Sequence, residues 1–223
     1  MFFILPYHVD VPMRRLPWMN GVLISVTVLF FFLCGQSDAF TPLGKTLILG
    51  HGPLGWIGHL LVHADLMHLV GNMLFLWVFG NAVCAKVGNG VYPLVYFGLG
   101  VLAGGVSYAI DPRPAVGASG AINGIVGMFV VWYLMNDLSC WYGYWFFGVA
   151  DVGEFALSSY WMVLLWLIFD IWGLFWGTGN VGYLAHVVGF LGGLGLGVLL
   201  LQSGIVEMEK GERSLLQVFA GEK

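Results

Sequence analysis

A single serine among glycines is the residue of this chain best suited to covalent chemistry. Ser119 lies in the run Gly117-Ala118-Ser119-Gly120, at the head of an apolar stretch. Glycines leave space around a hydroxyl nucleophile and let backbone N–H groups face a developing oxyanion. The structural alternative is that small residues let two membrane helices approach closely, and that the serine only belongs to such a face. Because short Gly/Ser motifs have many chance matches, the choice between a nucleophile and a packing residue depends on the rest of the chain.

His186 is the candidate base for this serine. Three glycines share its helical face: Gly189, Gly193 and Gly197. By the same count, three glycines line a groove beside Ser119: Gly120, Gly124 and Gly127. Because two smooth faces can meet at close range, we expect the His186 imidazole to come within hydrogen-bond reach of the Ser119 hydroxyl. That is the geometry in which a general base activates a poor nucleophile.

Composition places these residues in a membrane protein. The 223 residues are 59% hydrophobic and 9% charged, and the mean hydropathy is +0.88. A water-soluble domain of this size could hardly stay in solution with that balance. The net charge of −4 is small and spread out, so the chain has no nucleic-acid footprint.

Six apolar stretches are long enough to cross ~30 Å of hydrocarbon: Leu16–Cys34, Leu66–Cys84, Val91–Ile110, Ala118–Leu134, Ser158–Trp176 and Gly182–Gln202. They predict an all-α membrane protein with a six-helix bundle at 16–202, between an N-terminal cytoplasmic segment, 1–15, and a C-terminal cytoplasmic tail, 203–223. We expect the loop 35–62 to rest in the outer interface. The aromatic segment 136–155 is interpreted as an anchor in the inner leaflet.

Three polar residues inside the spans are candidates for function, because such groups are costly in a membrane. His68 and Asn72 are four residues apart and share a helical face. Asn72 can donate N–H groups into a cavity, or it can hydrogen-bond a neighbouring helix. Asp170 can be a third catalytic member, or it can satisfy a neighbouring helix, which is the commoner role of an intramembrane carboxylate.

Neither a metal nor another cofactor is expected. His59 and His63 have an i, i+4 spacing, but Leu60 stands where a zinc-protease helix carries its glutamate. His63 is nine residues before Asn72, which puts it on the opposite side of a continuous helix, so we expect it to order the loop. The cysteines are odd in number and far apart, which indicates neither a disulfide framework nor a zinc site: Cys34, Cys84 and Cys140.

These residues resemble those of the rhomboid intramembrane serine proteases. Three motifs in order carry the resemblance, on the second, fourth and sixth stretches: His63-x4-His68-x3-Asn72, Gly117-x-Ser119-Gly120 and Ala185-His186-x2-Gly189-x3-Gly193. The resemblance implies a Ser119–His186 dyad without a carboxylate, which cleaves transmembrane substrates near the outer membrane face. It also implies an oxyanion site made by the Ser119 N–H, Asn72 and His68, and a fifth helix that moves to admit substrate.

Three positions depart from the family pattern, and one of them is Cys84, which stands where an acidic residue is common. Trp56 is followed by Ile57 instead of the arginine of the family's Trp-Arg pair. This departure affects the expected anchoring of the loop 35–62 and not the expected chemistry. Asn123 occupies a position that is often aromatic or small in the family, and it is a candidate to hydrogen-bond His186.

Two other classes of function compete with a protease. A catalytically silent relative that binds membrane helices would usually lack Ser119 or His186, whereas this chain has both. In a channel or transporter the polar residues would line a path across the membrane, but here they cluster toward one side. The expected partners are therefore transmembrane protein substrates and the lipid bilayer. The short six-helix layout favours a bacterial cytoplasmic membrane.

The Lys/Arg bias gives a testable orientation with the N-terminus inside. Six cations then lie in the cytoplasm, Arg14, Arg15, Lys86, Lys210, Arg213 and Lys223, while only Lys45 and Arg113 lie outside. This orientation puts Ser119 and His186 near the outer ends of their helices. Reporter fusions at Lys223 should report a cytoplasmic location, and probes at Lys45 and Arg113 should react from outside. An external Lys223 would contradict both the topology and the outer placement of the site.

Overall fold

The computed structural model describes residues 2–36, 39–146, 149–177, 181–209 and 212–221. Lys210 and Lys223, which the charge bias assigns to the cytoplasm, lie outside the described residues. Positions 147 and 148 of the aromatic segment also lie outside them.

Six apolar helices form the body of the protein, as the sequence predicts. They are α1 (Trp18–Cys34), a continuous second helix (Leu66–Val87), α6 (Tyr92–Ile110), α7 (Ser119–Tyr133), α8 (Ser159–Trp176) and α9 (Tyr183–Gln202). The second helix consists of α4 (Leu66–Phe75), a π-helical segment (Leu76–Gly80) and α5 (Asn81–Val87). Four of the six are long and apolar enough to span a membrane by length and composition, whereas α1 and α7 are shorter. The helical membrane bundle is thus confirmed.

The predicted outer loop between α1 and α4 contains two short helices, α2 (Pro42–Thr46) and α3 (Gly55–Gly58). A further short helix, α10 (Leu215–Ala220), follows the bundle. The Thr41 hydroxyl caps α2 by accepting from the Gly44 N–H, and Ser214 and Gln217 form a capping box on α10. The described parts of the loop and of the tail therefore include short helices with capped N-termini.

A three-stranded antiparallel sheet, which the sequence analysis did not predict, lies outside the bundle. Its strands are β1 (Phe2–Val9), β2 (Asp137–Phe146) and β3 (Val149–Ser158), in the order β1-β2-β3. The aromatic segment interpreted as an anchor is thus mostly the β2–β3 hairpin. Leu138 and Cys140 of β2 are buried, and the Tyr7 ring stacks on Trp141 at 4.5 Å between centroids. Because β1 precedes α1 and β2 follows α7, their pairing puts these two ends on the same side of the bundle.

Ionic contacts bring the tail to this same side. Arg14 Nε lies 2.6 Å from Glu209 Oε1, and Lys86 at the end of the second helix pairs with Glu212. The Lys86–Glu212 pair is almost completely buried. The segment before α1, the end of α5 and the tail are therefore held together.

The π-helical segment is stabilised by a buried asparagine from α1. Asn20 is completely buried, and its amide nitrogen donates to the Leu76 carbonyl and to Asn81 Oδ1, each at 2.8 Å. The Tyr92 hydroxyl donates to Asn20 Oδ1 at 2.7 Å. A π segment disturbs the i to i−4 hydrogen bonds of a helix, and here Asn20 supplies a partner for one of its carbonyls.

Helix α7 is the centre of the bundle, and α9 packs directly on its backbone. All residues of α7 are buried except Ser119 and Asn123. A Cβ on Gly189 would collide with the Gly120 carbonyl, and one on Gly193 would collide with the Gly124 carbonyl. Only glycine fits at these two positions, so the helix spacing depends on them.

We expect Gly193→Val to disrupt this contact. The added side chain must force the two backbones apart, which should destabilise the fold by about 1–3 kcal/mol or more. The matched control is Gly195→Val on the exposed face of the same helix, where an added Cβ meets nothing within 4 Å. The melting temperatures of both variants are measured by thermal unfolding in detergent. Equal melting temperatures for the two variants would contradict the proposed dependence of the fold on this contact.

Candidate active site

Ser119 is the first residue of α7, and the loop between α1 and α4 braces the chain that leads to it. Leu49 forms an isolated antiparallel bridge with Ala115, and the Gly117 N–H donates to the His59 carbonyl at 2.8 Å. Gly117 has a φ of +113°, a conformation that favours glycine. The start of α7 is thereby fixed to the loop.

The structure brings Ser119 and His186 into hydrogen-bond contact. Ser119 Oγ lies 2.8 Å from His186 Nε2, across the glycine contact between α7 and α9. On the other side of the ring, His186 Nδ1 lies 2.8 Å from Asp170 Oδ1 on α8. A carboxylate can only accept, so Nδ1–H donates to Asp170; in the neutral imidazole, Nε2 then accepts from the Ser119 hydroxyl.

Asn72 and His68 line the same cavity as Ser119 and His186. The Asn72 amide nitrogen is buried and has no hydrogen-bond partner within the described part of the chain. The half-buried His68 ring lies where a Cβ on Gly117 would be, with its Cε1 2.6 Å from that position. The N–H groups in the first turn of a helix lack intrahelical acceptors, so the Ser119 N–H is a further donor at this end of the cavity.

His63 lies behind His68 instead of in the cavity. The two rings meet edge to face, with centroids 5.1 Å apart. Burial, together with the neighbouring His68, lowers the pKa of His63 to about 3. Its two ring nitrogens have no partner among the described residues. A neutral, buried His63 supports the position of the His68 ring by packing.

Two polar residues whose roles were open in the sequence have defined partners in the structure. The Asn123 amide donates to the Ser119 carbonyl at 3.0 Å, rather than to His186. Asp170 contacts His186 directly, which fits the first of the two roles left open for it, a third catalytic member, and departs from the dyad without a carboxylate that the family resemblance implies. The sequence signal for this contact was a carboxylate in the fifth apolar stretch. Neither spacing nor periodicity along α8 indicates which residue of α9 that carboxylate contacts.

The cavity around these groups has a volume of about 1090 Å³ and is bounded by residues of α4, α6, α7, α8 and α9 and of the loops before α4 and before α7. Its walls include apolar groups such as Phe75, Val163 and Trp166 as well as the polar groups described above. Across the described residues, no three His, Cys, Asp or Glu side chains are grouped so that they could hold a metal ion. The arrangement is suited to nucleophilic attack by a hydroxyl beside an apolar binding surface.

The sequence matches the model of one family of known proteins. The family model described as Rhomboid domain matches residues 50–203. The putative rhomboid protease YdcA of Bacillus subtilis is 29% identical over 186 residues, which cover 80% of this chain and 84% of that protein.

Two further relatives are matched over smaller shares of their length. The rhomboid protease GluP of Bacillus subtilis is 29% identical over 129 residues, 54% of this chain and 25% of GluP. The rhomboid protease GlpG of Klebsiella pneumoniae is 27% identical over 141 residues, 63% of this chain and 46% of GlpG. With the domain match over most of its length and its bundle of apolar helices, this chain is a multi-pass integral membrane protein that belongs to the rhomboid family.

Proposed function

We propose that this chain is an intramembrane serine endopeptidase that cleaves transmembrane segments of membrane proteins near the outer face of the bilayer. The observation that carries the proposal is the 2.8 Å hydrogen bond between Ser119 and His186. It lies beside a cavity within a bundle of apolar helices. Relatives named as rhomboid proteases support the same class of reaction.

In the proposed reaction, Ser119 Oγ attacks the carbonyl carbon of the scissile peptide bond while His186 Nε2 takes the hydroxyl proton. His186 then gives that proton to the leaving amine as the C–N bond breaks. Water next attacks the acyl-enzyme, again with His186 as the base, and releases the new carboxyl end with regeneration of Ser119.

The developing oxyanion would accept hydrogen bonds from the Ser119 N–H, the Asn72 amide and His68. An unpaired buried donor costs free energy in the resting protein, so the free Asn72 amide nitrogen supports this role. A preorganised donor gains most when the carbonyl oxygen becomes negative. The cost in the resting state would thus be offset in the transition state.

The helix length supports the depth of the site. The 15 residues of α7 extend roughly 22 Å, less than the ~30 Å hydrocarbon thickness. Ser119, which lines the cavity and lies at the outer end of α7 in the predicted orientation, would therefore lie below the outer membrane surface. A substrate helix would approach between α4 and α8, where the Phe75 and Trp166 rings lie 3.9 Å apart between centroids. Separation of this aromatic contact would open the path.

Replacement of either dyad residue should abolish proteolysis. We expect Ser119→Ala and His186→Ala each to lose cleavage of a reporter transmembrane substrate while remaining folded in detergent. Matched controls are Ser25→Ala and His8→Ala, which replace exposed residues outside the cavity and should retain wild-type cleavage. Retained proteolysis in Ser119→Ala would refute the assignment. A wild-type protein that binds the reporter helix without cleaving it would favour the catalytically silent alternative.

The Asn72→Ala variant separates an oxyanion donor from a structural hydrogen bond. Because the donor acts mainly on the transition state, we expect kcat to fall by about 10- to 1,000-fold with little change in KM. The comparison variant is Asn20→Ala, which removes a buried asparagine with a full set of structural partners. Asn20→Ala should lower the melting temperature and leave the kcat of the folded fraction nearly unchanged. The same stability-only pattern in Asn72→Ala would remove Asn72 from the site.

A further inference from the structure

The hydrogen bond between His186 and Asp170 has no role in a reaction carried by a dyad alone. The Asp170 Oδ1 to His186 Nδ1 distance is 2.8 Å, equal to the distance from His186 Nε2 to Ser119 Oγ. The Asp170 side chain is 15% exposed and the His186 side chain is 14% exposed. The imidazole therefore lies between a hydroxyl and a carboxylate, and both of its nitrogens are engaged.

This arrangement fixes the state of the imidazole that the proposed chemistry needs. A neutral imidazole carries its proton on one nitrogen only. With Nδ1–H bound to Asp170, the lone pair of Nε2 faces the Ser119 hydroxyl. The opposite tautomer would present an N–H to Ser119 and could not accept its proton. When His186 becomes positively charged during the reaction, the adjacent carboxylate also stabilises that charge.

A second contact sets the distance between α8 and α9. The Tyr183 ring occupies the space where side chains on Gly173 and Gly177 would be. Gly173 is three residues after Asp170, and Tyr183 is three residues before His186, so the ring contact and the hydrogen bond are neighbours along the helix pair. The missing side chain at Gly173 allows the close approach that brings the carboxylate to the imidazole.

The position of α8 depends on few contacts. Only four of its 18 residues are buried: Ser159, Met162, Val163 and Gly173. Of these, only Gly173 lies in the half of the helix that carries Asp170. A lateral displacement of this half would separate Asp170 from His186 while leaving the Ser119–His186 contact, which belongs to α7 and α9, in place.

We propose that Asp170 is a positioning residue that completes a Ser119–His186–Asp170 triad and makes catalysis depend on the position of α8. This proposal rests on the proposed protease function. The carboxylate holds His186 in the reactive tautomer only while α8 lies against α9. The site would thus be fully assembled when α8 is in the closed position and would lose its orienting carboxylate when α8 moves outward.

The main test is Asp170→Asn, which keeps the size of the side chain and removes its charge. We expect kcat for a reporter transmembrane substrate to fall by about 10- to 1,000-fold, with KM changed by less than about threefold. Asp170→Glu, which restores the carboxylate, should recover part of the loss. The control is Asp151→Asn on the exposed face of the sheet, which should keep wild-type kinetics.

Nitrogen-15 NMR of protein labelled in its histidine side chains gives a second readout that does not depend on turnover. The His186 signals, identified by their absence in His186→Ala, should show Nδ1–H in the wild type. In Asp170→Asn they should shift toward the Nε2–H tautomer. Wild-type kcat in folded Asp170→Asn, or a kcat loss with an unchanged tautomer, would overturn the triad. Either outcome would leave the protease proposal standing as long as Ser119→Ala is inactive in the same assay.

The helix contact allows a test that leaves Asp170 unchanged. Gly173→Val should push α8 away from Tyr183 and reduce kcat as Asp170→Asn does, because the carboxylate no longer reaches His186. Added to that variant, Tyr183→Ala should make room for the valine and restore part of kcat. The control is Gly98→Val on α6, where an added Cβ meets nothing within 4 Å. Wild-type kcat in Gly173→Val would contradict the dependence on α8.

Discussion

The direct backbone contact between α7 and α9 is the constraint on which the rest of this structure depends. Gly189 and Gly193 bring α9 against the carbonyls of Gly120 and Gly124, closer than any side chain would allow. Within a lipid environment, such close packing is a principal source of helix association. Since Ser119 and His186 are carried by these same two helices, the packing that stabilises the bundle also sets the length of their hydrogen bond.

Two buried asparagines of the bundle, Asn20 and Asn72, differ in their hydrogen bonding. Asn20 and its partners hydrogen-bond one another and the π-helical segment, and this network lies away from the cavity. Asn72, by contrast, has a buried amide nitrogen that no described residue satisfies. Burial of an unpaired donor is costly, so a satisfied network indicates a structural role and an orphaned donor beside a nucleophile indicates a site for developing charge. This difference supports the proposed role of Asn72 as an oxyanion donor.

Hydropathy and glycine spacing made much of this architecture predictable. The six apolar stretches and the faces of Ser119 and His186 follow from local periodicity, because helix length and the 3.6-residue repeat are properties of neighbouring residues. The sheet was missed because β1 and β2 are separated by more than 120 residues of chain, and because the aromatic composition of β2 also suits an interfacial anchor. The partner of Asp170 was left open because it depends on the crossing of α8 and α9 at Gly173 and Tyr183, which no local pattern contains.

The central claim is that the Ser119–His186 contact turns an ordinary hydroxyl into a nucleophile within the membrane. The most direct measurement is the rate at which a fluorophosphonate labels the purified protein, with the modified residue identified by peptide mass spectrometry. We expect modification at Ser119, slowed by about 100-fold or more in folded His186→Ala, since a general base contributes about 10²- to 10⁴-fold. Labelling of Ser119 at the same rate without the imidazole, or no labelling of Ser119 in the folded wild type, would contradict it.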